Sequence, residues 1–234
     1  MTKTEPLEPM KDGIVQIAGV IDAAEAAMLV RAGVDALGFP FRLAVHREDL
    51  TEADAAAIVR ALPPPCAAVL ISYLDRAAAI SALCRELGVR AVQLHGEVAL
   101  AELRALRGLD PALTIWKSLV VRPGGGDELA AAAAAYRPYV DAFLTDTYDP
   151  ATGATGATGK THDWSVSRRL VEIAGRPVIL AGGLNPGNVA AAIHAVRPAG
   201  VDSHTGVEGA DGRKDERLVR AFVETARAAF GEVR

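Results

Sequence analysis

An aspartate closing an apolar run, Ala142-Phe143-Leu144-Thr145-Asp146, is the first residue of this chain placed to do proton chemistry. Apolar surroundings disfavour a charged carboxylate and raise its pKa, which suits a general acid. Gln93 and His95 stand two apart in AVQLHG and fall on one side of a strand by alternation. In GFPFRLAVHRED, Arg42, His46 and Arg47 follow another apolar run, and an arginine there can fork onto a carboxylate or phosphate. Lys117, in TIWKSLVV, is read as a site cation or as a lysine snorkelling at a rim. Two Gly-rich stretches come late, LAGGLNPGNV with Gly182 and Gly183, and DSHTGVEG with Thr205 and Gly206. Glycine lets backbone N–H groups approach an anion, and a helix N-terminus adds favourable potential.

Such groups need elements to hold them. Apolar runs at 15–19, 36–39, 67–72, 91–96, 114–121, 142–146, 178–183 and 200–206 read as strands. Segments of helical period lie between them, at 22–32, 51–62, 75–87, 98–107, 127–135, 164–174, 187–196 and 215–229. Asp22, Thr51, Asp75 and Asn185 are expected at or near helix starts, and Gly33, Gly88 and Gly108 near helix ends. Continuous apolar strands imply burial on both faces, and strict β–α alternation implies a parallel sheet. Eight such units in this length predict an α/β fold, a single-domain TIM (β/α)8 barrel over 13–234, behind a polar N-terminal extension at 1–12. The alternative is an open doubly wound sheet, but no G-x-G-x-x-G follows the first strand. In a barrel the groups above gather at the C-terminal strand ends, and the last two Gly-rich turns form a phosphate site. The ATG repeat at 151–159 reads as a loop able to close or simply to space.

Composition narrows the rest. The chain has 234 residues, half of them apolar, and a net charge of −4 without a basic block, which excludes a nucleic-acid footprint. No apolar stretch approaches the roughly 20 residues that span a membrane, and the N-terminus lacks a secretory h-region. A cytoplasmic protein is expected. Cys66 and Cys84 have neither disulfide-framework nor metal-ligand spacing, so no metal is expected.

The stretches GVDALGF, AVQLHGE, TGKTHDW, VILAGGLNPGNV and GVDSHTGVEGADGRKD resemble the phosphoribosylanthranilate isomerase family, the barrel enzymes of tryptophan biosynthesis. The resemblance implies an Amadori rearrangement without a cofactor. A phosphoribosyl amine opens its ring, passes through a Schiff base and becomes an aminoketose. Asp146 matches the family's general acid on the ring oxygen. Arg47 matches its substrate arginine by count, Gln93 and His95 its QLHG, and Thr205 the serine of its phosphate loop. The family's general base at the sugar C2′ is the cysteine of K-x-C-G-[IL]-T. Here that motif reads Gln16-Ile17-Ala18-Gly19-Val20-Ile21, so Ala18 holds the base position. The phosphate half of the pattern is kept and the reacting half is altered.

The expected ligand is a phosphorylated pentose-derived small molecule, on a monomer or homodimer. If the reaction is retained, His46, His162 and His204 are the candidate substitute bases, because imidazole titrates near neutral pH. The alternatives are a repurposed enzyme that opens a ring or cleaves a C–N bond on a related phosphosugar, and a non-catalytic phosphosugar-binding protein.

Overall fold

The computed structural model describes residues 12–43, 50–122, 124–147 and 161–233. The polar extension up to residue 11, His46, Arg47 and the ATG repeat lie outside the described residues. Eight parallel strands close into one barrel in chain order. They are β1 (Ile14–Ala18), β2 (Ala36–Phe41), β3 (Ala67–Ser72), β4 (Ala91–Leu94), β5 (Thr114–Val121), β6 (Ala142–Thr147), β7 (Val178–Leu180) and β8 (Gly200–Ser203). The helices are α1 (Ala23–Arg31), α2 (Glu52–Ala61), α3 (Ala77–Leu87), α4 (Leu100–Leu109), α5 (Gly126–Tyr136), α6 (Trp164–Ile173), α7 (Val189–Val196) and α8 (Glu216–Val233). Among the described residues no helix is long and apolar enough to cross a membrane.

Alternation along each strand sorts the side chains into two cores. Outward residues such as Leu37, Phe39, Leu70, Val92 and Phe143 pack beneath the helices. Inward residues Ala36, Val69, Ala91, Trp116, Ala142, Leu144, Ile179 and Ala181 fill the lower barrel. The mix of small residues with a few large ones lets opposite strands close on one another. Five inward positions nearer the C-terminal ends are polar: Gln16, Gln93, Ser118, Asp146 and Asp202 are all buried there.

Several ends differ from the sequence expectation. Asp22 and Thr51 cap α1 and α2 through their side chains. Asp75 does not cap α3. The side chain of Glu102 on α4 reaches over and accepts from Ala77 N–H instead. The N-cap of α7 is Asn188, with Asn185 accepting from its first turn through the main chain. As expected, Gly88 ends α3, in a left-handed conformation, and Gly108 stands one residue before the end of α4. β7 stops at Leu180 because Gly182 and Gly183 take positive φ and leave the sheet.

The N-terminal face carries a repeated device. Asp35, just before β2, accepts from Val15 N–H of β1, and Arg227 of α8 pins its carboxylate. Asp141, just before β6, accepts from Ile115 N–H of β5, and Arg107 of α4 pins it in turn. Each carboxylate satisfies a strand end that the ladder leaves open. Asp35→Ala strands the Val15 N–H in a fully buried position. It should lower stability by about 1–3 kcal/mol, read as a lower denaturation midpoint at unchanged m-value.

Candidate active site

The inward polar residues form one connected chain across the barrel. Gln16 on β1 stands beside Asp202 on β8, as their backbones are in register. Its Nε2 donates to Asp202 Oδ1 and to Gln93 Oε1 on β4, both at 2.8 Å. Turning the amide over would put its oxygen against these two acceptors, so its orientation is fixed. With its oxygen so engaged, Gln93 presents Nε2 to His95 Nε2 at 2.6 Å. His95 Nε2 must therefore accept, and its proton sits on Nδ1. Nδ1 faces Asp146 Oδ2 at 3.1 Å. His95 keeps its inward aim because its N–H extends the β4 pairing to Ser72 C=O.

Asp146 ends the chain on β6. Its Oδ1 accepts from Thr147 N–H at 2.9 Å, and Ser118 Oγ lies 3.5 Å from Oδ2. The structure thus brings Asp146, Gln93 and His95 together, as their positions at strand ends predict. It adds two residues the sequence reading passed over. Gln16 was visible as a departure from a motif, and Asp202 lay inside a quoted one. The signal for both was inward parity: Gln16 and Ala18 share a side of β1, and Asp202 is paired with Gln16.

Asp202 is the electrostatic outlier. Burial pushes its carboxyl up to about 6, with Asp146 adding to the rise, while Gln16, His95 and Lys214 work against it. Its Oδ1 is held by Gln16. Oδ2 has no hydrogen-bond partner among the described residues, yet is not sealed from solvent.

Ala18 closes β1 and is buried. Beside it, Gly19 has a φ of +80°, and a Cβ there would lie 2.3 Å from His204 Nε2. The imidazole of His204 therefore covers the backbone just past the base position. Its Nε2 also faces Glu208 Oε1 at 3.4 Å, a carboxylate shared with Lys214. His162 sits toward α6, with Nδ1 2.9 Å from Thr147 Oγ1 and Nε2 2.6 Å from Ser167 Oγ. Lys117 is not in the barrel interior. Its parity points it outward, where Nζ donates to Ser118 C=O at 2.7 Å and lies over the Tyr136 ring. Burial lowers its pKa to about 8. Arg42 pairs with Glu52.

The two late turns meet at the mouth. A Cβ on Gly206 would lie 1.9 Å from Leu184 C=O, and one on Gly182 2.0 Å from Thr147 Oγ1, so only glycine fits either place. Ser203 Oγ ties β8 to Leu184 C=O at 2.8 Å. The N–H groups of Gly182 and Gly183 make no hydrogen bond to a described residue. Thr205 opens a short 3-10 turn, Thr205–Val207, with its side chain exposed. Among the described residues no group of His, Cys, Asp or Glu has the geometry to hold a metal ion. Cys66 and Cys84 lie away from the mouth, and burial pushes their thiols up to about 11 and about 12.

The raised pKa of Asp202 has a consequence for stability. An unfolded aspartate releases its proton near pH 4, whereas the folded one holds it to about 6. Between these values the folded state binds more protons, so stability falls as pH rises from about 4 to 6 and stays lower above. Asp202→Asn removes that loss while keeping an acceptor for Gln16. It should melt above the wild type at pH 8, by an amount on the order of 2 kcal/mol, with the difference vanishing near pH 4.

A family model described as N-(5'phosphoribosyl)anthranilate (PRA) isomerase matches residues 15–225. The chain is 39% identical over 222 residues to N-(5'-phosphoribosyl)anthranilate isomerase 2 of Methanosarcina mazei, covering 94% of this chain and 96% of that one. It resembles the crystal structure of phosphoribosyl anthranilate isomerase from Thermotoga maritima with a TM-score of 0.78 at 31% identity, covering 92% and 99% of the two chains. A phosphoribosyl anthranilate isomerase in complex with reduced 1-(o-carboxyphenylamino)-1-deoxyribulose 5-phosphate matches with a TM-score of 0.76 at 29% identity, again over 92% and 99%.

Proposed function

The chain belongs to the N-(5'-phosphoribosyl)anthranilate isomerase family, and we propose on that footing that it converts a phosphoribosyl amine of anthranilate to the aminoketose, with Asp146 as general acid. The observation that carries this reading is the carboxylate of Asp146, buried at the mouth of the barrel and held by His95 and its own strand. A proton delivered from it to the furanose ring oxygen breaks the C1′–O bond. The amine lone pair moves in to form the Schiff base. No redox partner is needed, since the product is an isomer of the substrate.

The other parts of the mouth fit the two ends of such a substrate. The open N–H groups of Gly182 and Gly183, the exposed Thr205 and the tight turn at Gly206 suit the phosphate. Arg47, outside the described residues, matches the family's substrate arginine by count and is the proposed partner of the anthranilate carboxylate. Gln93 and His95 orient Asp146 and face the sugar.

Turnover of phosphoribosylanthranilate by the purified protein tests the reading. Asp146→Asn should lower kcat by about 10²–10⁴, with KM changed far less. Absence of turnover by the wild type, or full turnover by Asp146→Asn, overturns it.

A further inference from the structure

We propose that Asp202 is the general base of this site, its carboxylate removing the C2′ proton in place of the thiolate that Ala18 cannot supply. The proposal rests on the isomerase reading above. Its starting point is geometric. Asp202 faces the barrel interior on the strand next to Ala18, one inward position below it, because its backbone pairs with Gln16. One oxygen is fixed by Gln16, and the other makes no hydrogen bond to a described residue. The alanine above it ends at Cβ, one atom short of where a cysteine would carry its sulfur.

The chemistry of the position agrees. A base works best when its pKa lies near the operating pH, and Asp202 is held at about 6. Burial is the chief cause, and glutamine at position 16 opposes it only through its hydrogen bond. It donates hydrogen bonds as a lysine would, but brings no positive charge to lower the carboxyl. The charged and titratable groups acting on Asp202 are His95 after β4, Asp146 on β6 and Lys214 before α8, and Lys214 is itself engaged by Glu208.

The histidines are less well placed. His162 has both ring nitrogens against hydroxyls. His95 has both in the chain from Gln93 to Asp146. His204 turns Nε2 to Glu208 and lies over Gly19. The cysteines lie off the site with raised pKa values.

In the proposed step the C2′–H bond of the Schiff base breaks and its proton goes to Asp202. The electron pair forms C1′=C2′, and the C=N π pair returns to nitrogen. The resulting enolamine then gives its O2′ proton, through water, to the carboxylate left on Asp146 and gains one at C1′ from Asp202, giving the ketone. The carboxylate is regenerated and the atoms balance.

The test compares wild type, Asp202→Asn, and Asp202→Asn combined with Ala18→Cys, all on phosphoribosylanthranilate. The asparagine variant should lose about 10²–10⁴ in kcat with KM within a few-fold, and lose the acidic limb near pH 6 in kcat/KM. Adding Ala18→Cys should restore at least tenfold, with the limb moved to the alkaline range of a thiol. A structural role for Asp202 would not be rescued by a thiol on the neighbouring strand. Turnover by Asp202→Asn within about threefold of wild type overturns the proposal, and so does a loss that Ala18→Cys leaves unchanged. Wild-type turnover, measured first, separates the two readings. Its absence sinks the isomerase assignment, and its presence with an active Asp202→Asn sinks this one alone.

Discussion

A carboxylate buried in a barrel must be neutralised, hydrogen-bonded or left basic, and Asp202 combines the last two. Among the described residues its one hydrogen-bond partner is a neutral amide, so the hydrogen bond is kept while Lys214 and His95 offset the cost of burial only in part. That condition propagates. Gln16 has its amide orientation set by Asp202 and Gln93 together, Gln93 is oriented by Gln16, and His95 by Gln93. The tautomer that results points a proton at Asp146. Two carboxylates on strands far apart in sequence are thus joined by a chain in which each donor fixes the next. A barrel filled only with apolar side chains would be cheaper to fold, since buried polar groups cost free energy unless fully satisfied. Gln16 Oε1 has no partner among the described residues, which places some of that cost at the centre of the site.

The surrounding fold serves to hold this chain rigidly. The lower barrel is packed with alanines and a few large residues, and the opposite face is secured by Asp35 and Asp141 with their arginines. Stability is concentrated at one end and the polar groups at the other. At the polar end, close packing restricts residue choice. A Cβ on Gly38 would lie 2.6 Å from Ile71 Cδ1 and 3.2 Å from the methyl of Ala18. The backbone past Ala18 is covered by His204, so Gly19 is required both by its φ and by the ring.

Much of this was legible in the sequence, and the exceptions have physical causes. Strand and helix order follow from apolar runs alternating with helical period, and the closed barrel agrees with them. β7 is shorter than its apolar pattern because Gly182 and Gly183 turn out of the sheet, and β8 is shorter than expected because the chain enters a 3-10 turn at Thr205. Asp75 looked like a cap, but the N–H it would have served is taken by Glu102 from the next helix, a tertiary contact that local pattern does not carry. Asp146, Gln93 and His95 were visible as polar residues ending apolar runs. Asp202 escaped notice because it sits inside its strand, where a lone carboxylate reads as part of a motif. Its importance depends on Gln16, 186 positions away. Lys117 misled by composition, since only its parity reveals that it points to the helices.

With no thiol at position 18, proton removal at C2′ is proposed to pass to a carboxylate in the barrel wall. A crystal structure of the wild-type protein with a reduced, non-reacting aminoketose phosphate would test it most directly. The expected result is Asp202 Oδ2 within about 3.2 Å of the C2′ position, with Asp146 on the side of the ring-derived oxygen. A structure in which a histidine or a water fills that distance, and Asp202 stays bound to Gln16 alone, would contradict it.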